Sequence, residues 1–161
     1  MVCNMKSIIV LYSFATVTIY LILAAKEDSK SCEVTRWKHL IGFIPAALCM
    51  IVHITDRDLF DIGMFTMFAL LCLLIGAKGV YGMADGFVFA NLTLLFGSMG
   101  GIAGIGLVIL IMILSCFSGM IEMMLRKLVT LATFKGKGYI AFVPHILTAY
   151  TAVMIALAIW I

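Results

Sequence analysis

Charge is what this chain has least of. Of its 161 residues, 11 are Lys or Arg and 8 are Asp or Glu, 12% together, while 65% are hydrophobic. Soluble globular domains carry about a quarter charged residues, and a soluble core in a protein this small has no use for so much apolar surface, so the surplus must face lipid. Between Gly86 and Ile121 there is no Asp, Glu, Lys or Arg. As one helix that run would be about 54 Å long at about 1.5 Å per residue, against about 30 Å of bilayer hydrocarbon. It reads instead as two crossings joined by the flexible centre Gly97-Ser-Met-Gly-Gly-Ile-Ala-Gly-Ile-Gly106. A net charge of +3, scattered along the chain, is too small for a nucleic-acid footprint, and no nucleic-acid partner is expected. Five cysteines (Cys3, Cys32, Cys49, Cys72, Cys116) contain no C-x-x-C pair, so no zinc module is indicated. Most sit in apolar segments as small hydrophobes, and no disulfide framework follows. No metal or cofactor is expected, and with no repeat or low-complexity linker residues 1–161 form one domain.

What is there is a series of apolar runs. They predict an all-α, polytopic integral membrane protein, a bundle of six transmembrane helices at about 7–25, 39–55, 62–78, 87–99, 101–122 and 139–160. The first run is longer than the core of a secretory signal and only Lys6 precedes it, so it is read as a spanning helix. Gly97-x-x-x-Gly101 and Gly100-x-x-x-Gly104 are spacings that bring helix backbones close or form the turn. Pro45 and Pro144 fall in or near the second and sixth helices, where a mild kink is the ordinary expectation.

Basic residues set the orientation. The connections 26–38, 78–86 and 123–138 hold nine of them (Lys26, Lys30, Arg36, Lys38, Lys78, Arg126, Lys127, Lys135 and Lys137), whereas the opposite side holds only Lys6 and Arg57. Basic loops stay in the cytoplasm, so both termini are expected outside a cell membrane. The same parity places Asp28 and Asp85 together in cytoplasmic connections and Asp56, Asp58 and Asp61 in a solvated outer turn.

Two carboxylates at one membrane border point to acid–base chemistry. Like charges held close do not both ionise easily, so the pair holds one proton between them. The ionised member then takes a proton from water while the protonated member polarises a scissile carbonyl, with no metal and no nucleophilic side chain. Taken singly, each has a plainer role: Asp28 as a loop residue among Lys26, Glu27 and Lys30, and Asp85 as a helix N-cap before Gly86-Phe87-Val88.

The chain around the first aspartate reads Lys26-Glu-Asp-Ser-Lys-Ser-Cys-Glu-Val-Thr-Arg-Trp37, and around the second Lys78-Gly-Val-Tyr-Gly-Met-Ala-Asp-Gly-Phe87. This pair resembles that of the type IV prepilin peptidases and their archaeal preflagellin counterparts, polytopic aspartic proteases. Asp28 with Val34 and Thr35 is similar to that family's first aspartate, followed six residues on by Ile or Val and then Pro or Ser. Gly82-Met83-Ala84-Asp85 resembles its Gly-x-Gly-Asp motif, and Gly138-Tyr-Ile-Ala-Phe-Val-Pro144 resembles the Pro-containing segment that opens its last helix. The resemblance implies Asp28 and Asp85 as catalytic residues, with Gly82, Ala84, Val34 and Pro144 supporting the motifs. It also implies cleavage of a prepilin, pseudopilin or preflagellin-like precursor, with a short basic leader and a glycine before the cut, at the cytoplasmic face. Three positions depart from the pattern. Ala84 stands for a glycine and puts a Cβ where backbone freedom is wanted, Phe87 stands for a lysine, and Thr35 for Pro or Ser. The Cys-rich insert of the bifunctional members is missing, so their N-methyltransferase activity is not carried over. The presenilin and signal-peptide-peptidase group also uses a Gly-x-Gly-Asp aspartate, but within the membrane and on adjacent helices.

Rival readings are a catalytically inactive relative acting in assembly and a small proton-coupled transporter. The transporter ordinarily needs a carboxylate deep in the bilayer. Asp56 and Asp85, one crossing apart, would lie about 30 Å from each other and cannot share a water. Of the remaining polar candidates, Cys32 with His39 is a thiol pair lacking an orienting group. His145, as a packing or interfacial residue, and Asn91, bonding a neighbouring helix, have approach to the aspartates as their alternative, and His53 lies at the outer end of the second helix, away from the proposed chemistry.

Overall fold

The computed structural model describes residues 2–80, 82–130 and 141–160. Their regular elements are helices: α1 (Val2–Ser31), α2 (Arg36–His53), α3 (Leu59–Ala77), α4 (Met83–Gly100), α5 (Ile102–Thr130) and α6 (Val143–Trp160), with a 3₁₀ turn at Ile54–Asp56. Six are long and apolar enough to cross a bilayer. The protein is an all-α, multi-pass membrane bundle, as its composition predicts.

Five helices close a ring: α1 packs on α2 and α6, α2 on α4, α4 on α5, and α5 on α6, while α3 lies outside against α4 and α5. The hub is α4, 67% of whose residues are buried, against 22–33% in the spanning windows of the others. That inversion of the soluble pattern follows from the solvent. Leu11, Leu59 and Ile159 point outward because lipid is as apolar as they are, and they gain nothing by burial. Packing relies instead on close backbone approach and interhelical hydrogen bonds. Ser13 Oγ donates to the Pro45 carbonyl (3.1 Å), which ties α1 to α2, and the Thr18 and Tyr150 hydroxyls meet at 3.1 Å between α1 and α6. At Gly104 a Cβ would stand 2.0 Å from the Phe96 carbonyl oxygen, so only glycine lets α5 lie this near α4.

The charge-free run is two helices, as expected, but the hinge is a single residue. Gly101, at φ +57°, turns α4 into α5, and its N–H bonds the Gly97 carbonyl. Several boundaries differ from the sequence expectation. α1 runs on through Lys26–Ser31 and α5 through Met123–Thr130, past the predicted ends at 25 and 122, because neither stretch holds a Gly or Pro to stop a helix. α6 begins at Val143 rather than 139; residues 139–140 lie outside the described residues. Pro144 is therefore in the first turn of α6, where a missing N–H costs no intrahelical bond, and it is no kink. Lys135, Lys137 and Gly138 also lie outside the described residues.

Candidate active site

The carboxylates of Asp28 and Asp85 are carried to one end of the bundle by helix parity. α1 ends there, α2 leaves and α3 returns, and α4 begins there. Neither aspartate sits in a connection as predicted. Asp28 is in the last turn of α1 and Asp85 in the first turn of α4, both buried, at 5% and 6% exposure. They line a single cavity of about 820 Å³ together with Val34, Arg36, His39 and Phe87.

Each carboxylate is held by backbone. Asp28 Oδ2 accepts the Val143 N–H at 2.9 Å, a bond spanning 115 residues that brings the opening of α6 onto the end of α1. Asp85 Oδ2 accepts the N–H of Gly82, the N-cap of α4, at 3.1 Å. The plain capping role is thus partly realised, from inside the first turn rather than at the cap itself. A Cβ on Gly82 would lie 3.0 Å from Asp85 Oδ2, so its glycine keeps room for the acid. Ala84 does not occupy a backbone position that needs glycine. It is an ordinary helical residue of α4, half-buried against the cavity, and among described non-glycine residues only Cys32 has positive φ. Of the motif-supporting residues, Val34, Gly82 and Ala84 line the cavity, while Pro144 sits beside it by opening α6 next to Val143.

The reversal between α1 and α2 is locked on both sides of Asp28. Cys32, at φ 55°, ends α1 in a left-handed cap with its N–H on the Asp28 carbonyl at 2.8 Å. Glu27 accepts the N–H of Thr35, the N-cap of α2, at 3.0 Å and bonds its hydroxyl, and Lys38 Nζ lies 2.8 Å from the same carboxylate. Sequence reasoning missed this clasp, although Glu27 and Thr35 are eight positions apart. It also missed Glu33 and Arg36 in the cavity wall.

The other candidates fall into place around this centre. Cys32 and His39 both line the cavity, but His39 Nδ1 is 2.7 Å from the Tyr20 hydroxyl, which leaves that nitrogen unavailable to a thiol. Asn91 donates to the His39 carbonyl at 3.3 Å, joining α4 to α2. His145 contacts Ser118 Oγ through Nδ1 (2.8 Å), and its Nε2 lies 2.8 Å from Glu122 without hydrogen-bond alignment. It packs α6 on α5 and is outside the cavity lining. Lys6 pairs with Asp56 at 2.6 Å, and His53 lies 3.3 Å from the same carboxylate. Lys6 and Asp28 are about 33 Å apart along α1 at about 1.5 Å per residue, so Asp56 belongs to the opposite end of the bundle. No disulfide joins the described cysteines, and no group of three or more metal-ligating side chains occurs among the described residues.

No family model, curated protein or solved structure matches the chain.

Proposed function

We propose that the protein is a membrane aspartic endopeptidase that removes the leader of prepilin-like precursors, including pseudopilin and preflagellin types, at the cytoplasmic face of the cell membrane. The observation that carries this reading is the meeting of two buried carboxylates, from α1 and α4, in one cavity at one end of the bundle. The excess of basic residues at that end supports the cytoplasmic orientation, with both termini outside. In the proposed reaction one carboxylate accepts a proton from water as its oxygen attacks the scissile carbonyl. The protonated carboxyl polarises that carbonyl, and the C–N bond breaks as the nitrogen takes up a proton. The cavity wall carries three carboxylates, Asp28, Glu33 and Asp85, against the single guanidinium of Arg36, which suits the basic leader implied by the resemblance. The hydrophobic helix of such a substrate would rest against the lipid-facing bundle while its leader extends into the cavity.

Co-expression with a precursor carrying a basic leader and a hydrophobic helix tests this reading. The wild type is expected to shorten it, and Asp28→Asn and Asp85→Asn are each expected to abolish processing. Cleavage by either variant rules the assignment out. Ion flux in proteoliposomes that depends on Asp85, without proteolysis, would favour the transporter instead.

A further inference from the structure

We infer that His39 is a substrate-binding hydrogen-bond donor, presenting Nε2–H to a backbone carbonyl oxygen of the peptide beside the scissile bond; this rests on the peptidase reading above. His39 stands in the first turn of α2, is only 6% exposed, and lines the cavity that holds Asp28 and Asp85. Its ring is fixed by contacts with two residues. The Tyr20 hydroxyl meets Nδ1 at 2.7 Å, Phe87 stacks on the ring face with centroids 4.7 Å apart at 21°, and the Tyr20 ring meets it edge-on at 5.9 Å. Phe87 is two residues after Asp85, so the stack sets the imidazole beside the aspartate's own helix.

The tautomer follows from Tyr20, which is fully buried. Among the described residues its hydroxyl has His39 Nδ1 as its one hydrogen-bond partner, and a buried phenol proton without an acceptor is costly. The hydroxyl proton is therefore directed at His39 Nδ1, which accepts it, and the imidazole's own proton resides on Nε2. Among the described residues Nε2 has no hydrogen-bond partner. With the Nδ1 edge sealed against Tyr20, Nε2–H is the polar group that His39 offers to the cavity. An accessible donor with no protein partner is free to bond an oxygen acceptor that enters the cavity. An extended peptide brings one at every residue. In this state His39 is neither base nor nucleophile partner, and its contribution is to hold the substrate backbone in register with the two aspartates.

The test uses the full-length protein in detergent micelles with the purified precursor as substrate. His39→Leu is expected to raise KM about tenfold while kcat stays within about threefold. His39→Gln, whose amide N–H reaches the place of Nε2–H, is expected to restore KM to within about threefold of wild type. An unchanged KM in His39→Leu, or a Gln variant as impaired as Leu, overturns the inference while cleavage by the wild type leaves the peptidase reading intact. Failure of the wild type to cleave, with or without the His39 changes, removes the peptidase reading and this inference with it. Should His39→Leu not fold, nitrogen-15 NMR of the histidine-labelled wild type decides. A proton on Nε2 and a bare Nδ1 are expected, and the reverse tautomer refutes the donor role.

Discussion

Asp28 has two separable tasks, anchoring the start of α6 and taking part in the proposed chemistry, and two substitutions pull them apart. Asp28→Ala removes the acceptor of the Val143 N–H, which is 2.9 Å away and buried at a residue of 5% exposure. An orphaned buried donor costs about 1–3 kcal/mol. At about 2 kcal/mol the folded-to-unfolded ratio falls roughly 30-fold. Asp28→Asn keeps a side-chain oxygen in the same place. It weakens a charge-assisted bond but also takes a charge out of a buried site, and these effects oppose each other. Its stability is expected within about 1 kcal/mol of wild type. Catalysis should not separate the two, since neither Ala nor Asn exchanges a proton as a carboxyl does: cleavage falls by about 10²–10⁴-fold or more in both variants. The assay is denaturant-induced unfolding in micelles followed by circular dichroism, alongside precursor cleavage on the same preparations. Equal stability of the Ala and Asn variants would refute the anchoring role of Val143, and cleavage by a stable Asn variant would refute the chemistry.

Three further outcomes are expected. In Gly104→Ala the new Cβ would sit 2.0 Å from the Phe96 carbonyl oxygen, so α4 and α5 must part by about 1 Å to reach even 3.0 Å; the expected loss of stability is about 1–3 kcal/mol, and an unfolding midpoint equal to wild type would refute the close approach. Glu27→Ala opens the clasp on Thr35 and Lys38 and is expected to lower cleavage several-fold without moving the unfolding midpoint. Lys38→Met should act on the same unit, so the double variant is expected to be no worse than Glu27→Ala alone, and additive losses would count against a shared clasp.

The architecture was legible because bilayer thickness converts apolar run length directly into crossings. The parity that brings Asp28 and Asp85 to one end needed nothing more than that count. Helix ends were less legible, since hydropathy reports where lipid stops and not where hydrogen bonding stops. Lys26–Ser31 is polar, and Met123–Thr130 sets Arg126 and Lys127 among apolar residues, yet both continue as helix. At the site, spacing marked the two acids and the residues beside them. It also led to an expectation of strain at Ala84 that a helical backbone does not impose. Contacts set by how helices face one another were beyond its reach. The Val143 N–H on Asp28 and the Tyr20 hydroxyl on His39 depend on the rotation of α1 against α6 and α2, for which no periodicity in a nearly uniform apolar chain gives a sign.

The bond from Val143 to Asp28 joins α6 to α1. A ribosome that has released α1 to α5 into the bilayer has delivered both acids, yet one of them still lacks the amide that steadies it. The pair therefore gains its full set of backbone bonds only when α6 inserts, and a chain without α6 carries the carboxylates without that setting. In the proposed peptidase, timing of this kind keeps the two acids quiet until α6 is in place.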